Sequence, residues 1–225
     1  NPDNWKAYYL RGLANMRLAT SKYSRSNKHA INDFTMSITL NSTLSNGKSY
    51  YYRGKVFQYI EDENYCSDFY QACEFNTLDA CQLVDEYCRP KTGFNPYDKI
   101  FGPGILTGQS FFTFKNNCDY DMVVTVKSIR TRRNIRSGYV RSGETITMDR
   151  IPNGRFDVEF IKGFNWSFSK TLGDGISKGG FLVNQETKRI SKSLLYNKKM
   201  TDGFENCTID GKIESENISV EDFLN

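Results

Sequence analysis

The residues whose type and spacing could do chemistry most directly are cysteines. Cys66 and Cys73 are seven apart, as are Cys81 and Cys88. Seven residues is close to two helical turns, so each pair falls on one helix face, roughly 10.5 Å apart at about 1.5 Å per residue. Between the pairs, Phe75-Asn76-Thr77-Leu78 reads as a tight turn, with Thr77 able to cap a helix that starts at Leu78. Folding the segment about that turn brings Cys66 to Cys88 and Cys73 to Cys81, two rungs across an antiparallel helix pair. The rungs are read as disulfides, with reduced thiols filling a helical seam as the alternative. One zinc ion suits the spacing less, because its thiolate ligands converge to about 2.3 Å of the metal. Cys118 and Cys207 lie in or beside strand-like runs and could staple a β domain. Six cysteines in all make an even count, which favours bridges and an oxidising compartment.

Other chemistry has few means. His29 is the one histidine, so a multi-His metal site cannot be built and any Ser-His-Asp relay would depend on it. Its surroundings, Asn27-Lys28-His29-Ala30-Ile31, read as the polar start of a helix. Gly102-Pro103-Gly104 lacks the lysine and the strand-helix context of a phosphate loop. Asp119 with Asp121, and Asp174 beside Gly175, match no calcium loop with enough ligands. Paired carboxylates for glycoside hydrolysis have no sequence signature, and nothing points to them here. No cofactor and no metal is expected.

Two features suit binding instead. Arg130, Arg132, Arg133, Arg136 and Arg141 fall within twelve residues, in what reads as a hairpin between two strands. Arginine pairs well with phosphate, sulfate or carboxylate, so an anionic partner, a polyanion included, is one expectation. The plainer one is a solvated hairpin tip that guards a sheet edge. Trp166 could stack on a sugar, although a buried tryptophan is the commoner outcome in a β-sandwich.

These residues need elements to hold them, and the first ninety residues repeat. Tyr8-Tyr9-Leu10-Arg11-Gly12 recurs as Tyr50-Tyr51-Tyr52-Arg53-Gly54, and Ile31-Asn32-Asp33-Phe34 as Cys66-Ser67-Asp68-Phe69. The first anchors are 42 apart and the second 35, which places a seven-residue insertion in the polar stretch Ser21 to Asn27. A period of about 34 residues with helix-turn-helix content is the mark of tetratricopeptide arrays. Arg11-Gly12, Ala30-x-x-x-Phe34-x-x-Ser37 and Leu40-Asn41 resemble one such repeat. Arg53-Gly54, Asp68-Phe69-x-x-Ala72 and Phe75-Asn76 resemble the next, with Tyr65 where a small residue is usual. The resemblance implies a concave face that holds a peptide or protein partner. By matching positions, that face would carry Lys6, Tyr9, Leu13 and Met16, then Lys48, Tyr51, Lys55 and Gln58. Asn1-Pro2-Asp3-Asn4 looks like the tail of an earlier repeat, and further repeats are expected upstream, since each buries its apolar face against a neighbour.

Arg89-Pro90 through Asn95-Pro96 ends the helical region. Past Phe101-Gly102-Pro103-Gly104, β-type runs follow at Phe111–Phe114, Met122–Val126, Thr145–Met148 and Arg155–Phe160, with turns at Gly143-Glu144 and Pro152-Asn153-Gly154. Gly143 to Val158, leading to Gly163-Phe164-Asn165-Trp166, loosely resembles small β-sandwich modules of bacterial envelope proteins. A short terminal helix is signalled by Ser219 with Asp222.

The fold expected is α+β in two domains: residues 1–92 as tetratricopeptide-like hairpins, 93–104 as a linker, and 105–225 as an antiparallel β-sandwich. A net charge of +4 is too small to argue for nucleic acid. No apolar run approaches the roughly 18 residues that span a bilayer, so any membrane association would be peripheral. The functional expectation is a non-enzymatic scaffold of the cell envelope or extracellular space, holding a protein partner on its repeats and using the β domain as a second surface. The alternative is a glycan- or polyanion-binding module.

Overall fold

The computed structural model describes residues 4–41, 46–102, 104–190, 194–196, 204–209 and 215–224. The chain divides into two units, Asn1–Arg89 and Pro90–Asn225, with helices preceding sheets as expected for an α+β chain.

In the first unit, α1 (Trp5–Leu18) pairs with α2 (Arg25–Leu40), and α3 (Gly47–Tyr59) with α4 (Tyr65–Glu74). Asn4 accepts from the Ala7 amide and Ser24 from the Ser26 amide, so both helices of the first hairpin begin on polar caps. The polar insertion becomes the turn before α2 and the first residues of that helix, with the Asn27 side-chain amide donating to the carbonyls of Ser21 and Lys22. His29 lies exposed on α2, in line with its polar setting. Each hairpin closes over a glycine. A Cβ at Gly12 would come within 2.8 Å of the Phe34 ring, and one at Gly54 within 2.7 Å of the Phe69 ring. The small residues at the end of α2 serve the next hairpin, with the Ser37 hydroxyl 2.9 Å from that of Ser49. Tyr65 fits by setting its ring edge-on to Phe69.

The repeat extends to charge. Arg11 is bonded to Asp33, and Arg53 to Asp68, one residue before each glycine and each phenylalanine. Burial lifts the Asp68 carboxyl above its ordinary range, and the Arg53 guanidinium opposes that rise. Beyond α4, α5 (Leu78–Leu83) runs into a π-helical turn, Val84–Cys88. Cys66 is bonded to Cys88 and Cys73 to Cys81, the two expected rungs. Two disulfides point to an oxidising compartment.

The second unit begins earlier than the sequence suggests. Residues 93–104, read as a linker, belong to it. Gly93 donates to the Tyr139 carbonyl, the Tyr139 amide donates back to Phe94, and Tyr97 is fully buried. A segment rich in Pro and Gly carries no periodicity, so its side-chain burial had no signal. The short helix α6 (Asp98–Phe101) lies within it.

Among the described residues nine strands come next: β1 (Ser110–Asn116), β2 (Asp121–Ser128), β3 (Asn134–Val140), β4 (Thr145–Ile151), β5 (Gly154–Thr171), β6 (Lys178–Ile190), β7 (Leu194–Tyr196), β8 (Phe204–Ile209) and β9 (Ser215–Asn217). They form two sheets, ordered β4-β1-β8 and β3-β2-β5-β6-β9, with β7 also on β5. Among the described residues the pairs are antiparallel, as expected of the sandwich, apart from β1–β8, which is parallel. The sheets share one core of Phe112, Phe114, Ile146, Met148 and Ile151 against Met122, Val124, Val126, Val158 and Phe160. Alternate residues of the larger sheet (Val123, Tyr139, Ile161, Trp166, Phe181) build a second core on its other face, closed by Tyr97 and by Phe223 of α7 (Val220–Leu224). That second face explains why β2 is buried at seven successive positions rather than alternately. Gly163 lies within β5 where its register against β6 shifts between Lys162 and Phe164, and a Cβ there would meet the Phe181 Cβ at 2.5 Å.

On the second face lies a fully buried ion pair. Lys127 Nζ is 3.0 Å from Glu159 Oε2, and neither side chain is exposed to solvent. Lys127 also donates to the backbone carbonyls of Asp222 and Phe223, at the carboxyl end of α7, where the helix dipole favours a cation. Glu159 Oε1 accepts from Arg132 and from Arg189. Burial pushes the Lys127 ammonium down from its ordinary pKa, and Glu159 pulls it back up. The start of α7 is a reciprocal cap: the Ser219 hydroxyl donates to the Asp222 carboxylate and accepts from the Asp222 amide.

Candidate functional site: the α1 and α3 face and the arginine hairpin

The eight residues expected on the partner-binding face all belong to α1 and α3, and most of them border open space. Trp5, Lys6, Tyr9, Leu10 and Lys48 line a groove of about 310 Å³. Met16, Ala19, Asn27, Lys55, Val56, Gln58 and Tyr59 line another of about 430 Å³. Lys6, Tyr9 and Lys48 therefore meet in the first, and Met16, Lys55 and Gln58 in the second. Leu13 lines neither groove and packs with Ala30, Phe34 and Val56 in the core between the hairpins. Tyr51 sets its ring against Tyr52 and Phe69.

Why these side chains end there follows from helical spacing. Positions 5, 6, 9 and 10 of α1 share one side of its first two turns, so Trp5 and Leu10 join Lys6 and Tyr9. That spacing could have added Trp5 and Leu10 to the expected set. Tyr9 is half in the core, tilted on Phe34 and Tyr52, and half in the groove. Burial raises the Tyr9 phenol above its ordinary pKa, with a smaller push from Tyr52, so it stays a neutral hydrogen-bonding group through the physiological range. Among the described residues neither groove has an aspartate or glutamate in its lining. Three lysines and a set of aromatic and aliphatic side chains make a surface suited to an apolar segment carrying negative charge.

The five arginines are not gathered on one surface. Arg136 is buried, and its guanidinium donates to the carbonyls of Ile105, Ile135, Asp149 and Arg150. Arg141 donates to the Pro90 carbonyl. Arg132 sits in the left-handed region (φ 56°) at the hairpin tip and is paired with Asp157 and Glu159. Only Arg130 and Arg133 of the five are exposed and lack an acidic partner among the described residues. Expecting all five as an anion site is corrected accordingly. A strand-flanked arginine whose donors match backbone carbonyls is drawn inward, and spacing alone does not reveal that. Trp166 is likewise no sugar platform. It is 1% exposed, enclosed by Tyr97, Tyr139, Phe168 and Phe181.

Cys118 is buried ahead of β2. The side chain of Cys207 lies outside the described residues, as do Asn1, Pro2 and Asp3, on which the expectation of earlier repeats rests. Among the described residues no three His, Cys, Asp or Glu side chains are grouped to hold a metal, and no helix is long and apolar enough to cross a membrane.

No protein-family model matches the chain, and comparison with curated proteins and with solved structures finds no match.

Proposed function

We propose that this chain is a non-enzymatic binding protein of the cell envelope or extracellular space. Residues 5–88 act as tetratricopeptide-type hairpins that hold an extended segment of a protein partner along α1 and α3. The observation that carries this reading is the lining of the two grooves, which draws on six of the eight residues that the repeat resemblance assigns to a partner face. The closing of each hairpin over Gly12 and Gly54, and the recurrence of the Arg–Asp pair, support the same reading. Two disulfides agree with an extracytoplasmic setting. The β unit serves as a second interaction surface.

A random peptide library displayed on phage and selected against the full chain tests this. Enriched peptides should carry acidic and apolar residues, and should bind the Lys6→Glu/Lys48→Glu variant at least about tenfold more weakly, the loss of two charge-assisted contacts. Both lysines are exposed, so the variant keeps its fold. Peptides that bind the variant and the parent equally would rule out this face.

A further inference from the structure

The β unit holds a cavity at the arginine hairpin that the reading above does not use. It is about 470 Å³ and lies between the β2–β3 turn and the β4–β5 turn, lined by Ile105, Ile129, Ile135, Pro152 and Phe156 with Arg130 and Arg155. Its size falls within the range of small-molecule sites.

We infer that this cavity binds a small amphipathic anion, a single apolar chain ending in a carboxylate or sulfate, with Arg130 and Arg155 taking the head and the aliphatic floor taking the chain.

Three observations lead there. The first is the apolar part of the lining, in which Ile105, Ile135, Pro152 and Phe156 stand beside Ile129, itself 37% exposed. The second is how the arginines of this region divide. Arg132 is matched by Asp157 and Glu159, Arg136 by four carbonyls and Arg141 by Pro90. Arg130 and Arg155, the two that line the cavity, have no carboxylate partner among the described residues, and no Asp or Glu lines it. The third is rigidity. The Ile129 amide donates to the Arg155 carbonyl at 3.0 Å, and Ser128 and Arg132 close the turn that carries Arg130, so both cations sit on braced backbone. Two guanidinium forks at the edge of an apolar pocket favour an oxyanion over a neutral head. They also favour a chain-bearing anion over a bare one, since inorganic anions gain nothing from the floor.

The test is calorimetric titration of the full chain with octanoate, octanol and acetate. Octanoate should bind, with octanol and acetate each weaker by at least about tenfold. Arg130→Gln/Arg155→Gln should weaken octanoate by a similar factor at an unchanged melting temperature. Arg133→Gln, a neighbour outside the cavity, should leave it unaltered. Equal binding of octanol would show that charge is not read, equal binding of acetate that the cavity is not used, and no binding of octanoate that neither is. Any of these, or full affinity in the double variant, overturns the inference. So does flotation with anionic phospholipid vesicles through the same arginines without octanoate binding, which would make this a membrane contact. None of these outcomes bears on the α1 and α3 grooves.

Discussion

The helical unit and the β unit both rely on ion pairs, but they place them differently. In the helical unit the carboxylates of Asp33 and Asp68 are buried while their arginines keep some contact with water, Arg11 with 65% of its side chain exposed and Arg53 with 17%. In the β unit both members of Lys127–Glu159 are sealed, with exposure of zero on each side. An ion pair at the surface trades water for a partner of similar strength, whereas a sealed one has given up water altogether and depends on every remaining contact. The helical unit can therefore lose a pair and keep its fold, and its larger constraints are covalent. The β unit has tied α7, β2, β5 and β6 to a single buried carboxylate.

The strongest way to break this contrast is Glu159→Gln. It leaves Lys127 buried and removes the charge that Arg132 and Arg189 share, and should cost the β unit about 3–5 kcal/mol in urea unfolding. A loss below about 1 kcal/mol would mean that the pair behaves like a surface one. Next come the rungs of the helical unit. Cys66–Cys88 spans 22 residues and Cys73–Cys81 spans 8. Chain entropy then assigns about 3.4 kcal/mol to the first and about 2.5 kcal/mol to the second. Paired Cys→Ser variants should follow that order, and a reversed order would show that native packing rather than loop length sets their value.

Smaller again are the repeated pairs. Arg53→Ala strands a buried Asp68 and should cost about 1–3 kcal/mol. Arg11→Ala should cost under about 1 kcal/mol, because Asn15 still donates to Asp33 at 3.0 Å and Arg11 is largely in water. Equal losses would make the two hairpins energetically alike and weaken the contrast drawn from exposure. The smallest effect is one of pH. The Ser219 hydroxyl holds the exposed Asp222 carboxyl below its ordinary pKa, with lesser help from its backbone contact with Ser219 and from Arg189 and Arg132. A lowered carboxyl pKa contributes stability that is complete above about pH 4 and is lost as pH falls through the folded-state value. The protection factor of the Phe223 amide, which donates to the Ser219 carbonyl, should fall on acidification below that point once intrinsic exchange has been divided out. Ser219→Ala should abolish the pH step.

The helical unit was largely legible because its contacts are local and repeated. Gly12 with Phe34 and Gly54 with Phe69 can be aligned by eye, and the cysteine rungs follow from a turn and a helical period. The ion pairs were present in the same motifs, in the Arg before each Gly and the Asp before each Phe, yet a repeat pattern does not say which of its members touch. The β unit was legible as strands and turns and at its Ser219–Asp222 cap. Its pairing was not, because the parallel β1–β8 ladder joins residues far apart in the chain with no local cue. Lys127 at the end of an apolar run reads as the polar edge of a strand. Only the second core, on the far face of the larger sheet, turns it inward. Arg136 is hidden for a different reason, its acceptors being backbone carbonyls that a sequence does not distinguish.

The bonds from Lys127 to the carbonyls of Asp222 and Phe223 span 95 and 96 positions, and that separation has a consequence for the order in which the chain can mature. Synthesis proceeds at about 5–20 residues per second, so Lys127 is made many seconds before the helix that seals it exists. Until then the second core lacks Phe223 and the β unit cannot close. The helical hairpins, complete by residue 89 and built from near neighbours, have no such wait. The two units are thus expected to become native at different times, the first once residue 89 has emerged and the second only after Val220–Leu224 has followed.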